Sequence, residues 1–166
     1  MNLRKGMEID KENVKRYLIA KLGLGEDGEI HIKQFEHGQS NPTYLVEYLG
    51  NKYVLRKKPP GKLLPGAHAI EREYKVMEAL GKHGVPIPTM HGLCEDSSII
   101  GTPFYLMSYI SGKIYKDPSL PGLEPETRRK IYRAMNETIA KIHNVDVHEA
   151  GLEDYGKVRF LLDSKF

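Results

Sequence analysis

The stretch that decides the fold is residues 43–58, TYLVEYLGNKYVLRKK. Two runs rich in aromatic and β-branched residues flank Gly50-Asn51, and such a pair is typical of the tight turn of a β-hairpin. The run EIHIKQF, which begins at Glu29, has the same character and precedes the hairpin by a loop at 36–42. We therefore predict a three-stranded antiparallel meander over residues 29–58.

A helix is predicted on each side of this meander. Asp10 is placed to cap a short amphipathic helix, which Gly23 and Gly25 would end. After Pro59-Pro60-Gly61 the pattern predicts a second helix over residues 67–82. The apolar residues that recur at helical spacing are Val14, Tyr17, Leu18 and Leu22 in the first helix and Ile70, Tyr74, Met77 and Leu80 in the second.

The rest of the chain predicts two more strands and a long helix. The runs MHGLCED and FYLMSYI, separated by a Gly101-Thr102-Pro103 turn, would complete a five-stranded sheet. Pro125 suits the first turn of a helix that closes near His143. Its apolar residues recur on one face, at Ile131, Met135, Ile139 and Ile142.

These elements predict an α+β fold. It is a five-stranded antiparallel sheet with one inserted helix, preceded by a short helix and followed by a long connecting helix. We expect three segments: 1–28 as an N-terminal helix and turn, 29–111 as the sheet with its helix, and 112–166 as linker, connecting helix and tail. The chain has 166 residues, which suits one domain.

Composition excludes several classes of protein. The formal net charge is +3, and 40% of the residues are hydrophobic, as in a globular domain. Cys94 is the only cysteine, so no intrachain disulfide can form. The apolar runs are far shorter than the roughly 20 residues of a membrane span, and the N-terminal residues fit neither a secretory signal nor a transit peptide.

Several motifs that would indicate other chemistry fail on inspection. Gly23-x-Gly25-x-x-Gly28 matches the dinucleotide fingerprint in letters, but a helix precedes it and a strand follows, which is the reverse of the order that fingerprint needs. The histidines form no H-x-x-x-H pair, so no metal site is predicted. Cys94 stands beside Glu95 and Asp96, whose charges disfavour a reactive thiolate.

The order of elements resembles the N-lobe of a kinase. A strand, a loop with Gly38, a strand, a third strand with Arg56 and a helix with Glu73 follow one another. In such a lobe a strand cation reaches nucleotide phosphates and a helix carboxylate orients it. Because side chains alternate along a strand, only one of Arg56 and Lys57 can face the cleft. A solvated charged surface remains the alternative interpretation of these residues.

Four segments carry a resemblance to a known family. HGQSNPTY at His37, VLRKKPPGKLLPGAHAIERE at Val54, GVPIPTMHGLCEDSSIIGTPFYLMSYISG at Gly84 and IYKDPSLPGLEP at Ile114 are similar to the aminoglycoside-phosphotransferase-like kinase domain of acyl-CoA dehydrogenase family members ten and eleven. The member-ten type is the more similar. The resemblance extends from about Glu29 to Lys157.

The resemblance implies an ATP-dependent phosphotransferase domain that, in the full-length proteins, phosphorylates the hydroxyl of 4-hydroxyacyl-CoA in fatty-acid catabolism. It implies a mitochondrial location. Matching positions give these nucleotide-binding residues: Gly38, Gln39, Ser40 and Asn41 in a phosphate-covering loop, Arg56 in place of the usual strand lysine, Glu73 as its partner, and the backbone of Ser108, Tyr109 and Ile110 at the adenine.

In that family the chain would continue into a C-lobe with the catalytic base and the magnesium ligands. We therefore expect a truncated lobe with no catalytic or metal-ligating residues of its own, with ATP binding weak or lost, and with Mg²⁺ only if a C-lobe were present. Asp154-Tyr155-Gly156 imitates a magnesium motif but falls in the connector of the family.

The helix with Ile131, Met135, Ile139 and Ile142 would then leave an apolar face uncovered. The alternative function is therefore a non-catalytic interaction module that binds a protein partner, or a second copy of itself, through this face. The basic run around Lys57 keeps nucleic-acid binding as a third class, which we do not expect, because acids elsewhere nearly cancel its charge and the chain has no tryptophan.

Overall fold

The fold is seen in a computed structural model, which describes residues 9–35, 41–61 and 68–155. These residues form three α-helices, five strands and a short 3₁₀ helix at Glu153–Tyr155. In chain order the elements are α1 (Lys11–Leu22), β1 (His31–Gln34), β2 (Thr43–Tyr48), β3 (Asn51–Lys57), α2 (Ile70–Lys82), β4 (Met90–Cys94), β5 (Phe104–Ser108) and α3 (Pro125–His143).

The five strands form one antiparallel sheet in the order β1-β2-β3-β5-β4. The register places Leu45 opposite Val54, and Val54 opposite Met107. The predicted α+β architecture, with one helix inserted after the third strand, is confirmed. The division of the chain into three segments stays a prediction.

The hairpin turn differs from the prediction by one residue. Tyr48 pairs with Asn51, so the turn residues are Leu49 and Gly50 rather than Gly50-Asn51. Both have positive φ, 47° for Leu49 and 75° for Gly50, as the tight turn between twisted strands requires. A leucine adopts this backbone at a steric cost, and its side chain packs over Gly28, where an added Cβ would lie 2.7 Å from Leu49 Cδ2.

Alternation divides the sheet into two faces. The core face carries buried side chains from β2, β3, β4 and β5, namely Tyr44, Val46, Tyr48, Tyr53, Leu55, Cys94, Phe104 and Leu106. Helix α1 packs on this face with Val14 and Leu18, and Tyr17 meets Phe104 with ring centroids 4.8 Å apart. Each large side chain buried there contributes roughly 1.5–3 kcal/mol, so this face holds the lobe together.

The opposite side, here called the site face, carries Thr43, Leu45, Val54, Arg56, Tyr105 and Met107. Helix α2 lies against it, with the rings of Tyr74 and Tyr105 6.0 Å apart. Helix α2 begins at Ile70, three residues later than predicted. His68 has a left-handed φ of 57°, which a helix cannot include, and Ala69 caps the helix without a side-chain hydrogen bond.

Helix α1 has the predicted capping residues. The Asp10 carboxylate accepts from the backbone N–H of Asn13 at 3.0 Å, and Gly23 ends the helix with φ 65° and donates its N–H to the Ile19 carbonyl. Strand β1, not a helix, follows Gly28. The glycine triplet therefore has no helix N-terminus to receive a pyrophosphate, as the sequence indicated.

Helix α3 spans the residues predicted for it and buries none of its side chains in the described structure. Met135, Ile139 and Ile142 are 52%, 48% and 41% exposed. Among the helices of the described segments, none combines the length and the apolarity that a bilayer span requires.

We expect Gly28→Ala to destabilise the lobe by about 1–3 kcal/mol, the usual range for overpacking. The new methyl would lie 2.9 Å from Cε2 of Tyr48, a ring that is 1% exposed and whose hydroxyl donates to the Gly25 carbonyl at 2.6 Å, so it cannot move aside freely. Chemical denaturation measures the change. Gly25→Ala is the matched control, because its methyl would meet Leu49 at an ordinary 3.8 Å; equal losses in both variants would contradict this account.

Candidate functional site

Arg56 is the strand cation that faces the candidate site. It projects from the site face of β3 with its side chain 27% exposed, whereas its neighbour Lys57 projects into the core face and is 3% exposed. The alternation predicted from the sequence is therefore confirmed at this pair. Arg56 is the one of the two that a ligand on the site face can reach.

The carboxylate of Glu73 receives hydrogen bonds from three separate elements. Arg56 Nε donates to Oε2 at 2.8 Å and Arg56 Nη2 to Oε1 at 3.4 Å. Asn41 Nδ2 donates to Oε1 at 2.9 Å, and Tyr105 Oη donates to Oε2 at 3.2 Å. The predicted pairing of Arg56 with Glu73 is thus present. Unlike an isolated surface ion pair, its carboxylate also accepts hydrogen bonds from Asn41 and Tyr105.

Burial and charge act together around this carboxylate. Burial, and to a lesser degree the Glu73 charge, raise the pKa of Tyr105 far above its ordinary value, so Tyr105 stays a proton donor. Arg56 also donates from Nη1 to the Thr43 hydroxyl at 3.1 Å. A second ion pair, Lys58 Nζ to Glu71 Oε1 at 2.5 Å, joins the end of β3 to the same first turn of α2. Helix α2 is therefore fixed to β3 by two ion pairs.

Asn41, the last residue expected in the phosphate-covering loop, makes side-chain contacts that the sequence did not predict. Its side chain is 1% exposed and lies between Glu73 and His68, whose Nδ1 is 3.1 Å from Asn41 Oδ1. One amide N–H and the amide oxygen of Asn41 are engaged in these contacts, and the role of its backbone in a phosphate-covering loop stays a prediction. Gly38, Gln39 and Ser40 lie outside the described residues, and their role in a phosphate-covering loop stays a prediction.

The residues expected at the adenine differ in what their backbone can offer. The Ser108 N–H donates to the Thr89 carbonyl at 2.9 Å, and the Tyr109 N–H donates to the Lys52 carbonyl at 3.2 Å. Ile110 follows β5, is 63% exposed, and its N–H makes no hydrogen bond to any described residue. Of the three amides, that of Ile110 is therefore the one left to donate to a ligand.

An apolar strip lies between Arg56 and Ile110; alternation along β3 predicts that Val54 shares the face of Arg56, but the sequence did not indicate its neighbours. Leu45, Val54 and Met107 stand side by side in the register on the site face. Val54 is 7% exposed, and the other two are half-buried. Alternation along β3 finds Val54, because residues two apart share a face, but Leu45 and Met107 join it only through the register between strands.

This arrangement offers the kinds of group that a nucleotide uses. A flat base needs an apolar surface and a backbone donor at its edge, and phosphates need a cation a few ångströms away; the strip, the Ile110 N–H and Arg56 offer these in a row. In the part of the chain that the structure describes, no three His, Cys, Asp or Glu side chains are close enough together to hold a metal. Asp154 belongs to the short 3₁₀ helix and is no exception.

Comparisons with known proteins find relatives of this chain. A family model described as the phosphotransferase enzyme family matches residues 31–166. A solved structure from Ralstonia eutropha JMP134, assigned as an aminoglycoside phosphotransferase, is similar with a TM-score of 0.76 and 44% identity. That similarity covers 90% of this chain and 43% of the solved one.

Two curated relatives are much longer than this chain. Acyl-CoA dehydrogenase family member 10 of Mus musculus is 56% identical over 155 residues, which are 93% of the chain and 14% of that relative. Acyl-CoA dehydrogenase family member 11 of Homo sapiens is 41% identical over 152 residues, which are 90% of the chain and 20% of that relative. The resemblance stated from the sequence is confirmed, including the greater similarity to the member-ten type.

The buried Lys57 gives a pH test of the strand alternation. Burial lowers the pKa of Lys57 below its ordinary value of 10.5, so the unfolded chain holds this proton in a range where the folded chain has released it. Unfolding then takes up a proton, and stability rises with pH through that range, up to about 10.5. The other titrating groups are shared by all variants, so differences from the wild type isolate Lys57.

We expect both Lys57→Met and Lys57→Arg to remove this rise when denaturant unfolding is measured at a series of alkaline pH values. The two variants should differ in their free energy of unfolding. Lys57→Met replaces a buried amine with an apolar chain of similar length and is expected to stabilise the fold. Lys57→Arg keeps a charge that does not titrate and is expected to destabilise it. A slope unchanged from wild type in both would show that Lys57 is not buried as the structure has it.

Proposed function

Because the chain belongs to the phosphotransferase enzyme family, we propose that its sheet and helix α2 form the nucleotide-binding N-lobe of a kinase-like domain. The observation that carries this proposal is the Arg56–Glu73 pair beside the apolar strip. A carboxylate that orients a strand cation toward the end of an apolar surface is what a lobe needs in order to hold a base and its phosphates together.

In this proposal ATP lies along the site face. The adenine packs on Leu45, Val54 and Met107 and accepts a hydrogen bond from the Ile110 N–H. Arg56 contacts the phosphates, using the guanidinium N–H groups that Glu73 and Thr43 leave unused. The loop with Gly38, Gln39 and Ser40 covers the phosphates with its backbone N–H groups.

The proposed acceptor is the hydroxyl of a 4-hydroxyacyl-CoA, as the resemblance implies. Supporting it, the curated relatives bear the name acyl-CoA dehydrogenase, while this region makes up 14–20% of their length. A phosphotransferase domain in the same polypeptide as a dehydrogenase is expected to act on the same class of thioester. We also propose a mitochondrial location on the strength of the resemblance.

We further propose that the 166-residue chain alone binds nucleotide weakly and does not transfer phosphate. Phosphoryl transfer needs a carboxylate that holds Mg²⁺ and a base that positions the attacking hydroxyl. In the described segments the acid group beside Arg56 is Glu73, and hydrogen bonds from three elements already occupy it. Mg²⁺ would be held by residues of a C-lobe.

A second candidate function is an interaction module. The observation that favours it is the uncovered face of α3, where Ile131, Met135, Ile139 and Ile142 form an apolar stripe with no buried member. Contiguous exposed apolar surface is a recognised mark of an interaction site. For the isolated chain the proposed occupant is the same face of a second copy.

Calorimetric titration of Mg·ATP into the purified chain tests the first proposal. We expect saturable binding with a Kd in the range of about 0.1–1 mM, weak because the sheet and α2 contact a nucleotide from one side of the proposed cleft. Arg56→Ala should abolish it. Arg56→Lys should restore only part of it, since an ammonium group keeps the charge but not the planar fork.

The matched control is Arg133→Ala, which removes an arginine from the exposed surface of α3, where its partner is Glu137. It should bind like the wild type. No heat of binding in the wild type would overturn nucleotide binding by this chain and leave the interaction module. Incubation with Mg·ATP and a 4-hydroxyacyl-CoA should yield no phosphorylated product.

Sedimentation velocity over a range of concentrations tests the second proposal. The wild-type chain should show a concentration-dependent shift toward dimer, and Ile139→Asp should remove it, because a carboxylate buried between two apolar stripes would lack a partner. Ala140→Asp introduces the same charge one residue further along, away from the stripe, and should associate like the wild type. A monomer at all concentrations would exclude self-association.

A further inference from the structure

We propose that His68 is a positioning residue for the Arg56–Glu73 pair and that it acts through Asn41. The functional consequence rests on the nucleotide-binding role proposed above; the structural part does not. His68 immediately precedes the N-cap of α2, and Asn41 immediately precedes the Pro42-Thr43 entrance to β2. The contact between them therefore joins the start of the helix to the start of a strand.

The polarity of this contact is fixed by its neighbours. Asn41 Nδ2 donates to the Glu73 carboxylate at 2.9 Å, and a carboxylate only accepts, so the amide oxygen of Asn41 must face the other way. That oxygen lies 3.1 Å from Nδ1 of His68, which therefore carries the hydrogen. His68, Asn41 and Glu73 thus form a directional chain in which each donor meets an acceptor.

The start of α2 depends on this chain more than an ordinary helix would. Its N-cap, Ala69, provides no side-chain hydrogen bond, whereas α1 has the Asp10 cap. His68 also has a left-handed backbone, φ 57°, and its carbonyl accepts from the Ile70 N–H at 2.9 Å. A non-glycine residue in this conformation persists where its surroundings hold it, and here the ring is held by a buried amide.

Glu73 lies one turn into α2, so the position of the helix start sets the position of its carboxylate. Asn41 reaches the same oxygen, Oε1, as the weaker Arg56 contact at 3.4 Å. Without His68, Asn41 would be free to turn its amide, and Glu73 would lose both a donor and the tie at its helix start. Arg56 would then sample more orientations, and its fork would meet phosphate less often.

Three variants of His68 separate hydrogen bonding from shape. His68→Asn places an amide N–H where Nδ1 stands and tolerates the left-handed backbone. His68→Asp has the same shape and backbone tolerance but offers an acceptor to the Asn41 oxygen, so it should break the contact. Because Asp also adds a charge, His68→Gly serves as the uncharged variant that lacks a donor and tolerates positive φ.

The first measurement needs no nucleotide. In the proton–nitrogen correlation spectrum, the Nε–Hε signal of Arg56, assigned with Arg56→Lys, reports its bond to Glu73. We expect a signal protected from solvent exchange in the wild type and in His68→Asn, and at least a five-fold faster exchange in His68→Asp and His68→Gly, comparable to the loss of one hydrogen bond. Equal protection in all four proteins would overturn the proposal.

The second measurement is the Kd for Mg·ATP of the same four proteins. We expect His68→Asn within about two-fold of wild type, and His68→Asp and His68→Gly weaker by about five-fold or more. If no protein binds ATP, the nucleotide role fails, while the Arg56 signal still decides whether His68 positions the pair. If ATP binds equally to all four proteins although the signal changes, the positioning has no consequence for the nucleotide and the proposal fails.

Discussion

The carboxylate of Glu73 is the group on which the arrangement of the site depends. It is a partly buried charge, and such a charge is tolerated only when its oxygens are hydrogen-bonded. Its donors come from β3, from β5 and from Asn41, which lies two residues before β2, so one side chain of α2 is bound to two strands and to the segment that leads into a third. The hydrogen bonds to the Glu73 carboxylate therefore help to set the position of α2 on the site face.

The period of a strand explains why the lobe can combine a dry core with a charged site. Adjacent residues of β3 project to opposite faces, so Leu55 packs under α1 while Arg56 meets Glu73. Lys57 shows the cost of this arrangement, because the same alternation places a cation in the core face, where burial lowers its pKa. The sheet thus separates the apolar core from the charged candidate site without a second layer of strands.

Strand and helix identities were predictable from the sequence because they depend on local periodicity, as the bounds of α3 from Pro125 to His143 show. The hairpin turn was misplaced by one residue, since local propensity favours Gly50-Asn51, whereas the turn that forms places Leu49 at positive φ and packs its side chain over Gly28. The role of Asn41 was missed for a related reason. Its partner Glu73 is 32 residues away, and no local pattern reports a contact at that separation.

In the proposed nucleotide site, Arg56 would contact a phosphate in addition to its two partners in the structure, Glu73 and Thr43. A lysine has a single nitrogen, which would have to be shared between Glu73 and a phosphate, whereas the Arg56 guanidinium uses Nε and Nη2 for Glu73 and Nη1 for Thr43. The remaining N–H groups keep a fixed direction because the fork is planar. That rigidity has a consequence for the proposed nucleotide site: a planar fork binds two phosphate oxygens well only in a narrow range of orientations, so every contact that orients Glu73 would contribute to the affinity of Arg56 for a phosphate.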